Sequence, residues 1–251
     1  MYTTSLKCSN CKSEILAFRD KKTHKAFSKV ICQCGNEMEC DDLPYYKIIP
    51  AHELDRSVKN SVAHIMTDIE TLSAPNKGRF NCQILSIALV PMGVLTGVPS
   101  CYIKINPTPD ERFFQDEKTK IWWGEQNKDV KDEAFSGSLS QEEAADVFIA
   151  YWKMCENKIN ELNDERLAQN LRPYSMDIGL WGNGNDFDNN IIMSWLEILN
   201  RPVPWKYWNS HSMRTALFLN PQIKRVFPSA NTGHNALVDA KCQAKSINAL
   251  L

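Results

Sequence analysis

The sequence predicts an α/β protein: one large domain in which five strands are interleaved with helices, preceded by a small cysteine-rich module. Three observations lead there. Runs of strand formers recur at residues 62–69, 83–90, 100–105, 175–182 and 202–208. Between and after them lie stretches with helical signals, at residues 141–162, 187–199, 211–219 and from Gly233 towards the last residue. Five of the nine cysteines fall within residues 8–40, a density that speaks for a metal-stapled module.

Composition bounds the protein's class. With 251 residues, 43% hydrophobic and 24% charged, the chain can bury a sizeable core and is not disordered. The longest apolar run, residues 84–95, contains Ser86, Pro91 and Gly93 and is too short to span a bilayer, and the first residues lack the pattern of a signal peptide. Cys82, Cys101, Cys155 and Cys242 are scattered through apolar surroundings as core thiols are, so the expectation is a soluble protein in a reducing cytoplasm. The net charge of −1 hides a segregation: residues 1–40 carry +3, residues 201–251 carry +6, and the stretch between them −10. A local basic surface of that kind is compatible with a polyanionic partner, and a solvated mixed surface is the default reading.

In the first module, Cys8 and Cys11 form a Cys-x-x-Cys turn, and Cys32, Cys34 and Cys40 gather around Gly35 after a gap of twenty residues. The pattern looks like a zinc ribbon, in which two knuckles give four thiolates to one tetrahedral Zn²⁺. The second knuckle departs from it, because a single residue separates Cys32 from Cys34; Gly35 favours Cys34, and Cys32 is preferred to Cys40. The expected ligands are Cys8, Cys11, Cys32 and Cys34, with Lys21, Lys22, His24, Lys25 and Lys29 either touching phosphates or keeping a loop soluble. Residues 1–42 are read as this module, the polar stretch 43–59 with Pro44 and Pro50 as a linker, and residues 60–251 as the main domain.

The main domain opens on a strand whose period of two carries Asp68 and Glu70 to the same face. Two neighbouring carboxylates resist ionisation unless a cation sits between them, and oxygen-only donors suit a hard divalent ion. An isolated Asp-x-Glu is common, so its meaning rests on whether the rest of the chain supplies further carboxylates and a base. A loop with Pro75 and Gly78 leads to the strand at 83–90, and 100–105 completes a three-strand meander. An acidic, irregular segment then holds Trp122 and Trp123, read either as core or as a ring that stacks on a nucleobase. The helix at 141–162 has Ser140 as its N-cap and Glu142 and Glu143 in its first turn. The fourth strand ends in Trp181-Gly-Asn-Gly-Asn-Asp-Phe-Asp188 and turns into a helix with Asp188 in its first turn; Asp186 is a rival, but Phe187 directly precedes Asp188. His234 and Asp239 stand five apart, which serves a shared site only if His234 lies before the last helix and Asp239 one turn inside it. His64 and His211 are read as structural.

These residues resemble the DEDDh exonuclease superfamily, the group with ribonuclease T and the proofreading subunit of bacterial DNA polymerase III. Asp68 and Glu70 match its first motif, Asn183, Phe187 and Asp188 its second, and His234 with Asp239 its third, in order and over about 190 residues. Trp122-Trp123-x-x-Gln126 and Trp181-Gly-Asn-Gly are similar to a compact branch found in phages and bacteria. The resemblance implies a ribonuclease H-like fold, a five-stranded mixed sheet flanked by helices with the first strand central. It also implies a 3'-5' exonuclease in which Asp68, Glu70, Asp188 and Asp239 hold two Mg²⁺ or Mn²⁺ ions, and His234 takes the proton of the attacking water. Asn183, Phe187, Thr71 and Leu72 are then expected against the substrate, a single-stranded DNA or RNA 3' end that loses nucleoside 5'-monophosphates. The zinc ribbon is not part of that superfamily's core pattern. A different class of protein, a nucleic-acid-binding adaptor with an idle ribonuclease H-like domain, would show a broken acidic set, and here the set is complete.

Overall fold

A computed structural model describes the strand backbones at 2–7, 14–19, 29–31 and 37–39, and residues 62–75, 78–228, 233–248 and 250. The chain divides into two units, Met1–Asp55 and Arg56–Leu251.

The first unit holds two antiparallel hairpins. Strand β1 (Tyr2–Lys7) pairs with β2 (Glu14–Arg19), and β3 (Lys29–Ile31) with β4 (Glu37–Glu39). The expected zinc ligands Cys8, Cys11, Cys32 and Cys34, and their rival Cys40, lie outside the described residues.

The second unit is built on a five-stranded mixed sheet in the order β7-β6-β5-β8-β9. Strand β5 (Ala63–Thr71) is central, as expected, with β6 (Ile84–Gly93) antiparallel on one side and β8 (Ile178–Gly182) parallel on the other. The outer strands are β7 (Cys101–Lys104), antiparallel to β6, and β9 (Ser210–Ser212), parallel to β8. The fifth strand thus falls later than the stretch 202–208 suggests. In that stretch Trp205 buries in the core with Val203 packed partly against it, and Tyr207–Asn209 close a 3₁₀ turn before pairing begins.

Alternation along β5 separates two layers. Ala63, Ile65 and Ile69 face a core shared with the long helix α3 (Gln141–Ala168) and with α4 (Asp188–Ile198), including Phe148, Trp152, Ile159, Ile192, Trp195 and Leu196. Helix α3 begins in a capping box, Ser140 accepting from the Glu143 N–H and the Glu143 carboxylate accepting from the Ser140 N–H. It runs beyond the expected 162 because its polar last turns are used: Asn163 bonds both the N–H and the C=O of Tyr174. On the other face, Met66 of β5 and Ala88, Val90 and Met92 of β6 meet α5 (Met213–Leu219) and α6 (Ala236–Ile247). Ala236, Ala240 and Ala244 repeat every four residues on α6, so its backbone lies close to the sheet.

Two helices occupy a segment read as irregular: α1 (Glu117–Glu125) and α2 (Lys128–Ala134). Each buries one residue, Trp123 and Ala134, in a small cluster with Leu72 and Leu85. Among the described residues no helix is long and apolar enough to cross a membrane.

The two histidines read as structural are so placed. Buried His64 accepts from Trp181 Nε1 at 3.1 Å and lies edge-on to His211. Burial, then the neighbouring His211, push its pKa from 6.5 to about 4. A histidine neutral in the folded state adds nothing to the pH dependence above its unfolded pKa. Below it, the unfolded chain takes a proton that the fold refuses, so stability falls as pH drops from 6.5 to about 4, by up to about 1.4 kcal/mol per pH unit. Urea midpoints measured across that range should flatten in His64→Gln relative to the wild type.

Candidate active site

Three elements bring four carboxylates together at one end of the sheet. Strand β5 points Asp68 and Glu70 from the face that carries Met66, and α6 lays Asp239 over the same face. One carboxylate oxygen from each of Asp68, Glu70 and Asp239 lies within 4.8 Å of the others. Pairing shifts just after Glu70: Glu70 stands opposite Ser86 and Thr71 opposite Ile84, so Leu85 has no partner across the ladder. This irregularity closes the strand directly beyond its second carboxylate.

Asp188 comes from the start of α4 and is buried. The Gly184 N–H, in the turn that leads into the helix, donates to its Oδ2 at 3.3 Å. Gly182 makes room for it. A Cβ there would stand 2.8 Å from Asp188 Cβ and Oδ2, so any side chain at 182 displaces the carboxylate.

The electrostatics follow from crowding. Burial, then the charges of Asp188, Glu70 and Asp239, hold the Asp68 carboxyl well above the usual range, against one opposing bond from Gln243 Nε2 at 2.6 Å. Burial, Asp239 and Asp188 raise Glu70 to about 8. Burial raises Asp188 to about 6, opposed by the backbone N–H groups of Gly184, Asp188 and Asn183 and by Arg214. Asp239 is raised by burial, with His234 and nearby backbone N–H groups pulling the other way.

His234 lies one residue before Asn235, the N-cap of α6, and Asp239 sits in the helix's first turn, which is the arrangement that the five-residue spacing demands. Its backbone is left-handed, φ 63°, and the residue is exposed. Its ring meets Trp122 at 4.8 Å between centroids, nearly perpendicular.

The other predicted residues are distributed differently. Asn183 is half-buried, its Oδ1 without a hydrogen-bond partner among the described residues, and Phe187 packs against the main core. Thr71 and Leu72 are turned inward: Thr71 Oγ1 donates to Ser73 O at 2.7 Å, and Leu72 joins the cluster under α1 and α2. Gln243 escapes a reading of the sequence alone. Its position four residues after Asp239 on one helix face is the available signal. Trp123 belongs to the core, its Nε1 donating to Thr71 O at 2.9 Å, whereas Trp122 is 38% exposed.

The family of the Rv2179c-like 3'-5' exoribonuclease domain matches this chain over residues 63–251. No curated protein matches it. Among solved structures it is similar to E. coli Exonuclease I in complex with a dT13 oligonucleotide, at 10% identity and a TM-score of 0.48, over 75% of this chain and 41% of that one. The zinc-ion-bound E. coli ExoI–ssDNA complex is matched at 11% identity and a TM-score of 0.48, over 74% of this chain and 40% of that one. The chain spans about two fifths of the length of these relatives.

Proposed function

Because the chain belongs to the 3'-5' exoribonuclease Rv2179c-like domain family, we propose that it is a 3'-5' exonuclease, removing nucleoside 5'-monophosphates from the 3' end of a single strand, RNA before DNA. The observation that carries this reading is the convergence of the Asp68, Glu70 and Asp239 oxygens within 4.8 Å, with Asp188 close enough to raise the pKa values of both Asp68 and Glu70. A ribonuclease H-like assignment of the mixed sheet agrees with it.

The donor set fits hard divalent cations. It is made of oxygens alone, its carboxyls are driven to hold protons when no countercharge is present, and Gln243 Oε1 and Asn183 Oδ1 are buried acceptors without a partner among the described residues. Asp68, Glu70, Asp188 and Asp239 would hold two Mg²⁺ or Mn²⁺. Such ions, when bound, activate water and offset the charge that grows on the phosphate and on the leaving 3'-oxygen. The chain's residues do the rest. Gln243 fixes the rotamer of Asp68, the Gly184 N–H fixes that of Asp188, and the His234 imidazole accepts the proton of the attacking water.

End-labelled RNA and DNA strands, each with a free or a blocked 3' end, test this with Mg²⁺ and with a chelator. Stepwise shortening of free ends is expected, RNA faster than DNA because contacts to the 2'-hydroxyl separate the two sugars. Blocked strands and chelated samples should stay intact. Internal cutting of blocked strands would refute exonuclease action.

For the cysteine-rich module at residues 1–42, we propose one structural Zn²⁺ held by Cys8, Cys11, Cys32 and Cys34. In support, one cysteine pair falls in sequence between β1 and β2 and the other between β3 and β4. Elemental analysis should find about one zinc per chain, and Cys8→Ser should lower that content.

A further inference from the structure

We propose that Trp122, assisted by Glu133, holds the His234 imidazole in register with the carboxylates; the proposal rests on His234 as proton acceptor. His234 needs such help. It is exposed, its backbone is left-handed, and among the described residues none hydrogen-bonds its ring. What meets the ring is Trp122, with centroids 4.8 Å apart and planes at 89°, and behind it Trp123 at 6.4 Å and 78°. Edge-to-face packing of this kind fixes both the distance and the tilt of an aromatic ring.

The support is tied back to the strand that carries the acidic pair. Trp123 packs edge-on against Trp122 at 5.0 Å and is pinned by its bond to Thr71 O at 2.9 Å, while the Asp116 N–H ahead of α1 donates to Leu72 O at 2.9 Å. A line of contacts therefore runs from the end of β5 through both tryptophans to the imidazole. Beside it, Glu133 of α2 accepts from Asn235 Nδ2 at 3.3 Å and pairs through its other oxygen with Lys104 of β7 at 2.9 Å. Helices α1 and α2 thus grip residues 234 and 235 from outside the sheet. This explains why a large indole stays partly at the surface: its neighbour is a reacting group. Misplacement of such a group by about 1 Å costs on the order of 10²-fold in rate.

Trp122→Ala should lower kcat on a short RNA roughly 10-fold and leave KM within about 2-fold, and Trp122→Phe, which keeps an aromatic edge-to-face partner, should restore most of the rate. In a His234→Gly background, Trp122→Ala should cost nothing further. Proton NMR reads the contact without turnover. The His234 Cε1 proton, identified by its absence in His234→Gly, should shift in Trp122→Ala and return near its wild-type position in Trp122→Phe. Glu133→Gln, which leaves the indole in place, should give a smaller fall in kcat at unchanged KM. A rise in KM at constant kcat would make Trp122 a base-stacking platform and overturn the proposal. So would an unmoved Cε1 resonance, or an equal loss in both backgrounds. Full activity of His234→Gly alone would instead remove the proton-acceptor reading, with the NMR shift still deciding whether Trp122 orients the ring.

Discussion

Asp68→Asn should lose turnover by roughly 10³-fold or more and yet melt at a higher temperature than the wild type when metal is absent at pH 8. Asparagine keeps an Oδ1 to accept the Gln243 bond, so the geometry around α6 survives. What disappears is a carboxyl that burial and the charges of Asp188, Glu70 and Asp239 make costly to ionise. A carboxyl whose pKa rises on folding weakens the fold where the unfolded chain has ionised and the folded one resists. For Glu70, between 4.5 and about 8, metal-free stability therefore falls as pH climbs through that window. Asp68 acts in the same direction. The relief in Asp68→Asn should appear as about 2 to 4 °C in melting temperature per kcal/mol. Melting curves at pH 5 and pH 8, with and without Mg²⁺, check this. Mg²⁺ should stabilise the wild type more at pH 8 than at pH 5, because at pH 5 it competes with protons, and the gain should shrink in the variant. Full turnover in Asp68→Asn would sink the metal assignment.

His234→Gly should lower single-turnover cleavage by roughly 10²-fold while Mg²⁺ affinity, measured by calorimetry, stays near wild type. Glycine is a cleaner deletion than alanine because position 234 has φ 63°, a conformation that glycine adopts freely and alanine only at a cost of about 1 kcal/mol. Backbone strain then cannot be mistaken for lost chemistry. Free imidazole added to His234→Gly should return part of the rate. A variant that cleaves at the wild-type rate would reduce His234 to a turn residue, whereas one that loses metal affinity would make it a ligand.

Much of this site can be read along the chain because its parts obey short-range periodicities. A period of two puts Asp68 and Glu70 on one face of β5, and a helix start fixes the place of Asp188. The spacing of His234 from Asp239 requires a cap between them, and Asn235 is that cap. What escapes depends on tertiary contacts. Helices α1 and α2 bury one residue each, so they show no apolar stripe, and their stability comes from Trp123 and Ala134 docking beside Leu72. Strand β9 lies later than its strand formers suggest for a similar reason, since Trp205 and Val203, both strand formers, are drawn to the core instead of into the sheet. Thr71 and Leu72 come directly after the acidic pair in sequence, but the register shift after Glu70 leads into a segment whose side chains are buried.

The bond from Gln243 to Asp68 joins residues 175 apart in the chain, and Asp239 reaches the same cluster from the same helix. Ribosomes make β5 long before α6, so a nascent chain carries Asp68 and Glu70 for most of its synthesis without the groups that complete them. Closing so long a loop is also among the late, slow steps of folding. The full carboxylate cluster therefore arrives after the sheet, not with it. On the function proposed above, a chain assembled in this order lacks its complete acidic set until α6 has been translated and docked. Lifting α6 from the sheet would take Asp239 and Gln243 away from Asp68 and Glu70 together.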